Sequence, residues 1–485
     1  MQEIYEGNRK VLIMSTLAFF ISVMVWFNLA PLSSIIMEQL GITKEEIGVL
    51  MLVNLSLAIP ARIFMGRLVD RFGPKRVFAV LLVVMSVPCF IFALSSSYWQ
   101  LLISRLFLGI IGASFVVGIR MLAEWFPEHQ AGFVQGIYAG WGNFGSAIAS
   151  FSLPVLALLF GGDNGWRYAV AATGLLALIY GLVFYRQVED TPPNKVFKRS
   201  KSSGVMEVTS FSDLIILLFI SLPIYGGMGI LVWSLQQAGL LAKGAAIGFY
   251  ALLAILYLVH ARKIWVKNIA YLKAEIHESE KYSMLQVSIL SLGYFATFGG
   301  ELAVISMLPM FFLDTYSLGT VAAGMIASSF AFTNLVARPA GGWLSDRFGR
   351  KRILMSLLFL LGVLYFAMSA LKGEWSLFAA VALTMCCSMI GQAASGSVFS
   401  LVPSINKSKT GQIAGMVGAY GNIGSVCFLA VLNITYPALF FGVIGTAALL
   451  CFALSFFIKE SPQVYSTDSQ YIAERNYRLK VEQNI

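Results

Sequence analysis

Six ionisable side chains fall well inside apolar stretches of this 485-residue sequence: Arg62, Arg105, Arg120, Glu124, Glu301 and Arg338. At the centre of a membrane helix each costs roughly 2.5–3.5 kcal/mol on insertion scales, so each needs a partner or a water-filled cavity. Arg62 and Arg338 are related by position. Each lies four residues before a glycine (Gly66, Gly342) and eight before an aspartate (Asp70, Asp346) in two copies of one motif. A guanidinium is always charged and presents a planar fork of donors. Two such forks at matched depth call for an anion with oxygens. The alternative is that each arginine pairs privately with a carboxylate or a backbone carbonyl, Glu301 being the obvious deep carboxylate besides Glu124. Arg120 and Glu124 are four apart on one helix, the spacing of a local ion pair. Arg105 opens Arg-Leu-Phe-Leu-Gly-Ile-Ile-Gly, an element that serves either packing or coupling.

No nucleophile–base set, metal-ligand spacing or ATP-type phosphate loop accompanies these charges, so no enzyme, metal or cofactor is expected. Gly140, Gly142 and Gly145 form a literal GxGxxG, but inside an apolar helix with no preceding strand, which removes the dinucleotide reading. Cys89, Cys386, Cys387, Cys427 and Cys451 all sit in apolar runs and read as small hydrophobes. His129, His260 and His277 fall in or beside polar connections, leaving no histidine at mid-membrane.

The elements that must position these residues are membrane helices. The chain is 58% hydrophobic and 12% charged, with mean hydropathy +0.78; soluble domains carry about 25% charged residues. Its long apolar runs reach the roughly 20 residues that span a bilayer. The first, Val11 to Met37, is too long for a secretory signal and has no small-residue cleavage site after it. The net charge of +10 sits in short connections: Arg9/Lys10, Arg71 to Arg76, Lys195 to Lys201, Arg347 to Arg352 and Lys407/Lys409. Alternate connections are acidic or neutral. This pattern excludes a nucleic-acid surface and places both termini and the basic loops in the cytoplasm of a multi-pass inner-membrane protein.

The chain is duplicated. ARIFMGRLVDRFGPKR at Ala61 to Arg76 returns as ARPAGGWLSDRFGRKR at Ala337 to Arg352, 276 residues later. GIYAGWGNFGS at Gly136 to Ser146 returns as GMVGAYGNIGS at Gly415 to Ser425, 279 residues later. Six spans are predicted in the first half, at 11–37, 47–69, 77–95, 99–126, 131–160 and 166–186. The second half supplies 285–312, 322–345, 353–371, 375–402, 410–434 and 436–459. Between them lies an insert with basic flanks and a hydrophobic hairpin at 211–260, expected to cross twice, the alternative being a hairpin that lies in the interface. The fold expected is an all-α integral membrane protein with two pseudo-symmetric six-helix bundles, a central extra hairpin and about fourteen spans. The domains expected are 1–190, an insert at 191–283, 284–460 and a tail at 461–485.

GRLVDRFGPKR and GWLSDRFGRKR match the signature loop of the major facilitator superfamily, one per half. Gly66 and Gly342 permit close helix approach. Asp70 and Asp346, with Arg71 and Arg347 beside them, are expected to form latches that meet arginines and helix N-termini on the cytoplasmic side. Gly136, Gly140, Gly142 and Gly145 in the first half, and Gly421 and Gly424 in the second, are expected to pack helices tightly. Gly132, Gly136 and Gly140 form a small-xxx-small ridge. Asn143 and Asn422 are amides at lipid depth that need partners.

Paired glycine-rich segments with Gly-Asn-x-Gly, together with Tyr294-x-x-Thr297-Phe298-Gly299, Gly112-Ala113-x-Phe115 and Trp125-Phe126-Pro127, resemble the nitrate/nitrite porter family of that superfamily. The insert departs from its twelve-helix members and is similar to cyanobacterial uptake members. The resemblance implies nitrate clamped between Phe115 and Phe298, with Arg62, Arg338, Tyr294, Asn143 and Asn422 around it. The ion is flat, which suits two aromatic walls, and its in-plane oxygens accept bidentate guanidinium bonds. It further implies rocker-switch transport of nitrate or nitrite by a monomer, as proton symport or nitrate/nitrite exchange. Glu301, roughly two turns from Tyr294, is the candidate for proton coupling, and equally a candidate structural partner. An antiporter of organic phosphate or carboxylate, or a nitrate sensor, is the alternative.

Overall fold

The computed structural model describes residues 5–459 except 163, 194–196, 198–204, 238, 274–280, 319–325, 327–328 and 331. Every regular element among the described residues is a helix. The first half holds α1 (Tyr5–Trp26), α2 (Lys44–Phe72), α3 (Pro74–Ala93), α4 (Tyr98–Trp125), α5 (Ala131–Phe160) and α6 (Gly165–Gln187). The insert supplies α7 (Phe211–Gln237) and α8 (Lys243–Leu272). The second half holds α9 (Met284–Tyr316), α10 (Asn334–Phe348), α11 (Arg350–Ser369), α12 (Leu377–Ile405), α13 (Thr410–Ile434) and α14 (Pro437–Ser455).

Thirteen helical segments among the described residues are long and apolar enough to cross a membrane. The first of them, Arg9–Leu40, runs through α1 and a short helix at Ser33–Leu40, and α10 is not among the thirteen; it covers the later part of the span expected at 322–345, whose residues 322–325, 327–328 and 331 lie outside the described residues. The tail from 460 also lies outside them. The insert differs from the hairpin expected over 211–260, because α8 continues to Leu272. Beyond His260 it keeps a buried stripe in Ile264 and Asn268. The Asn268 amide accepts the Val208 N–H at 2.8 Å and donates to the Met206 carbonyl at 3.2 Å, so the helix is held past the first charged residues. His260 therefore lies within a helix, bonded to the Tyr225 hydroxyl at 3.0 Å.

The repeat extends to the helix ends. α2 and α10 both stop at a glycine with positive φ, Gly73 at 89° and Gly349 at 101°. Side chains rarely adopt that backbone, which explains a glycine after each Asp-Arg-Phe. Proline at the first position of α3 is pre-set for a helix start.

Two seams join the halves, α2 against α13 and α5 against α10. Their contact is backbone to backbone. A Cβ at Gly136 would stand 2.6 Å from the Arg338 carbonyl oxygen, and one at Gly415 would stand 2.6 Å from that of Arg62. Nearer the repeated loops, Gly66 faces the Gly411 carbonyl and Gly342 faces that of Gly132. The glycine ridge thus grips each deep arginine from the opposite half. Gly140 meets the Asn334 carbonyl, Gly142 and Gly145 meet α1 at Phe19 and Phe20, and Gly421 and Gly424 meet α9.

The repeated aspartates close the seams at the loop end. Asp70 accepts the N–H groups of Gly411 (3.1 Å) and Gln412 (2.9 Å) at the start of α13, and the Arg120 Nε at 2.8 Å. Asp346 accepts the Phe133 N–H at 2.9 Å at the start of α5, and Arg350 at 3.0 Å. Each carboxylate therefore satisfies orphan donors of a helix N-terminus in the other half, where the helix dipole favours negative charge. Arg120 also pairs with Glu124, and Arg350 also donates to the Glu128 carbonyl. The structure does not bring Arg71 or Arg347 into these latches. Both are exposed, with Arg71 over the Phe72 ring at 5.2 Å and Arg347 over the Trp343 ring at 5.3 Å.

Two outcomes are expected. Gly136→Val and Gly415→Val lower transport per inserted molecule by about tenfold through overpacking, while Gly442→Ala, which meets nothing within 4 Å, is neutral. Asp70→Asn and Asp346→Asn remove a charge-assisted helix cap and raise the rate of thiol labelling at Ser345→Cys, in a background lacking the native cysteines, by about tenfold.

Candidate functional site

Arg62 and Arg338 are both 1% exposed. Their guanidinium carbons lie over the same ring, that of Phe298, at 5.4 and 5.1 Å from its centroid. The arginines placed at matched depth by the repeat therefore meet between the halves. Arg62 also lies 5.7 Å from the Phe115 ring and 5.9 Å from that of Trp26.

Their partners differ. Arg62 donates to backbone, from Nε to the Gly112 carbonyl at 3.2 Å and from Nη1 to the Gly418 carbonyl at 2.6 Å, with the Tyr294 hydroxyl as a side-chain neighbour. Gly112 belongs to a 3-10 turn, Gly109–Ala113, within α4. Such a turn disturbs the regular helical bonding and leaves carbonyls available. Arg338 pairs with Glu301 at 2.8 Å, and the other Glu301 oxygen accepts the Asn334 amide at 2.8 Å. In this conformation each arginine has its own partner, a carboxylate for one and carbonyls for the other. The site holds two fixed positive charges and one carboxylate.

α9 supplies one wall. Tyr294, Thr297, Phe298 and Glu301 share a helical face by their three- and four-residue spacing. The Tyr294 ring is parallel to Phe298 at 4.9 Å and to Phe115 at 6.3 Å, both at 5°. Tyr294 thus meets the two phenylalanines face-on instead of standing only at the edge. Its hydroxyl couples electrostatically to both arginines. Phe399 of α12, which carries no motif, stands edge-on to Phe115 and Tyr294, each at 4.7 Å. Tyr138 closes the back of Phe115 by stacking at 6.0 Å.

The two repeated asparagines separate. Asn422 is fully buried on α13, one turn beyond the Gly418 that holds Arg62, and neither end of its amide has a hydrogen-bond partner among the described residues. The Arg338 Nε and the Thr297 hydroxyl are likewise buried and unpartnered. Donors without acceptors beside two cations form a cradle for oxygens; leaving them unmet costs about 1–3 kcal/mol each. Asn143 is half-buried, and its amide makes no hydrogen bond to the arginines. Arg105 lies outside the cradle. It donates to Asn28 at 2.8 Å and to the Trp26 carbonyl at 2.9 Å, fixing the end of α1 and with it the Trp26 ring beside Arg62.

Residues 15–267 and 290–475 match the profile of the Major Facilitator Superfamily. The nitrate/nitrite transporter NrtP of Picosynechococcus sp. is 42% identical over 501 aligned positions, covering 94% of this chain and 94% of that protein. NrtP of Nostoc punctiforme is 41% identical over 466, covering 94% and 93%. Among solved structures, the human organic anion transporter MFSD10 superposes with a TM-score of 0.63 at 15% identity, covering 92% of this chain and 99% of that chain, a likeness of fold alone. The chain belongs to the major facilitator superfamily, within its family of nitrate/nitrite transporters.

Proposed function

We propose that this chain carries nitrate and nitrite across the cytoplasmic membrane by alternating access, with the repeated loops and both termini on the cytoplasmic side. The observation that carries the reading is the convergence of Arg62 and Arg338 on the Phe298 ring, beside the unpartnered Asn422 amide and Thr297 hydroxyl. A flat monovalent oxyanion fits the donors and the parallel rings together. Arg62 exchanges its carbonyl bonds for the stronger charge-assisted bonds to the anion, and Arg338 uses its free Nε while keeping Glu301. Asn422, Thr297 and Tyr294 supply the remaining donors.

Charge selects the class of substrate and the mode of transport. With Arg338 paired to Glu301, one positive charge is uncompensated, and a monovalent anion neutralises it. An organic phosphate dianion leaves a net negative charge in a dry interior, which is costly. The empty site keeps its surplus charge, so the carrier reorients readily when loaded and poorly when empty. This favours exchange of nitrate for nitrite. Proton-coupled net uptake requires the empty carrier to return in spite of that charge, and Glu301, the carboxylate paired to Arg338, is the candidate to carry the proton in with nitrate. The two latches and the glycine seams are the parts that release and re-form as the halves rock.

The decisive measurement is nitrate and nitrite uptake into proteoliposomes, with and without internal nitrite and with and without a pH gradient. Arg62→Ala and Arg338→Ala are expected to reduce both modes by about a hundredfold or more, since each removes charge-assisted bonds to a buried anion. Normal rates in correctly inserted variants end the reading. Glu301→Gln keeps hydrogen-bonding groups for Asn334 and Arg338 but raises the empty-site charge. The nitrate-loaded site then keeps one positive charge, so exchange slows, and pH-driven net uptake, which also loses its proton carrier, is expected to fall about tenfold further. Equal loss of both modes removes Glu301 from coupling and leaves it a structural partner of Arg338.

A further inference from the structure

The insert covers one seam between the halves and leaves its twin bare. α7 lies along the α2/α13 seam. A Cβ at its Gly227 would stand 3.2 Å from Ile59 of α2 and 3.5 Å from Ile423 of α13. The Tyr420 hydroxyl of α13 donates to the Ile220 carbonyl of α7 at 2.7 Å. At the α5/α10 seam the repeat puts Leu335 in the place of Ile59, Trp141 in that of Tyr420 and Phe144 in that of Ile423. No described helix packs over them. A membrane-facing groove of about 860 Å³ runs there instead, walled by Phe133, Ile137, Trp141, Leu335 and Trp343, with Arg347 at its mouth on the loop end.

A second helix does not suit this groove as α7 suits the other. Trp141 and Phe144 are bulkier than the residues they replace, and Phe144 packs edge-on against Phe332 at 5.4 Å, so the close approach made by Gly227 is blocked. A flexible chain fits an irregular apolar trough. Charge decides the other end. Asp346, the acid at the mouth, is committed to Arg350 and the Phe133 N–H. Arg347 is exposed, stacked on Trp343 at 5.3 Å and Phe348 at 5.6 Å, and makes no ion pair among the described residues. Basic groups between membrane helices at headgroup depth recognise anionic lipids.

We propose that the α5/α10 groove is a binding site for one anionic phospholipid, with acyl chain along the Trp141–Leu335–Trp343 trough and headgroup phosphate on the Arg347 guanidinium. The lipid occupies the place that α7 fills at the other seam. Because it touches both α5 and α10, beside the carboxylate that ties them together, it stabilises the conformation closed at the loop end.

The test uses the full chain, reconstituted in vesicles of phosphatidylcholine with one third phosphatidylglycerol, then extracted and weighed by native mass spectrometry. The wild-type protein is expected to retain one phosphatidylglycerol through exchange into detergent. Arg347→Gln lowers its retention about fivefold, the loss of one basic contact near the surface. Ala340→Trp, which fills the groove, lowers retention of any lipid there. Arg71→Gln, the repeat-related change at the covered seam, retains it. Nitrite/nitrate exchange in the same vesicles reports that each variant is folded. Equal retention in Arg347→Gln and wild type overturns the proposal. So does loss from Ala340→Trp of a bound polypeptide or second copy in place of a lipid.

Discussion

Two guanidinium groups that cannot be neutralised sit buried between the halves, and the surrounding structure answers that constraint. One carboxylate, two backbone carbonyls and a ring of aromatic faces are set around them. The compensation is incomplete by one charge. Glu301 serves Arg338, its bond to Asn334 fixing the carboxylate there, while Arg62 rests on carbonyl dipoles.

The positions of the arginines depend in turn on how closely the halves approach. Gly136 and Gly415 let each half rest on the backbone of the opposing arginine, so the depth of one is set by the helix of the other. The aspartates finish the same two contacts by capping helix ends across the seam. These are hydrogen bonds from backbone donors with fixed directions, so the closed state is specified geometrically and not merely by attraction between loops. Breaking them exposes helix ends at a surface where water and headgroups replace the lost partner, which keeps the closure reversible.

Much of this was legible in the sequence because the chain states it twice. The arginine pair, the seam glycines and the capping role of Asp70 and Asp346 follow from matched spacing in two copies. Spacing failed where the partner is distant in the chain. Arg71 and Arg347 adjoin the aspartates, yet on a helix the next residue points about 100° away, and the latches take Arg120 from α4 and Arg350 one turn on. Phe399, Trp26 and Asn334 reach the cradle through tertiary approach that no local pattern encodes. Asn143 and Asn422 are identical in motif and different in surroundings, because the halves are related by fold and not by equal neighbours. The apolar pattern of α8 ends near His260 for a related reason: the residues beyond it are largely charged, while the buried face of Ile264 and Asn268 continues the helix.

α7 rests on α2 of one half and on α13 and α9 of the other. A rod bonded to both covers of a book is a spine. With α2 and α13 joined through it, their separation is restrained in a way that α5 and α10 do not share. A chain assembled from near-equal repeats therefore carries a brace along one seam and none among the described residues along its twin.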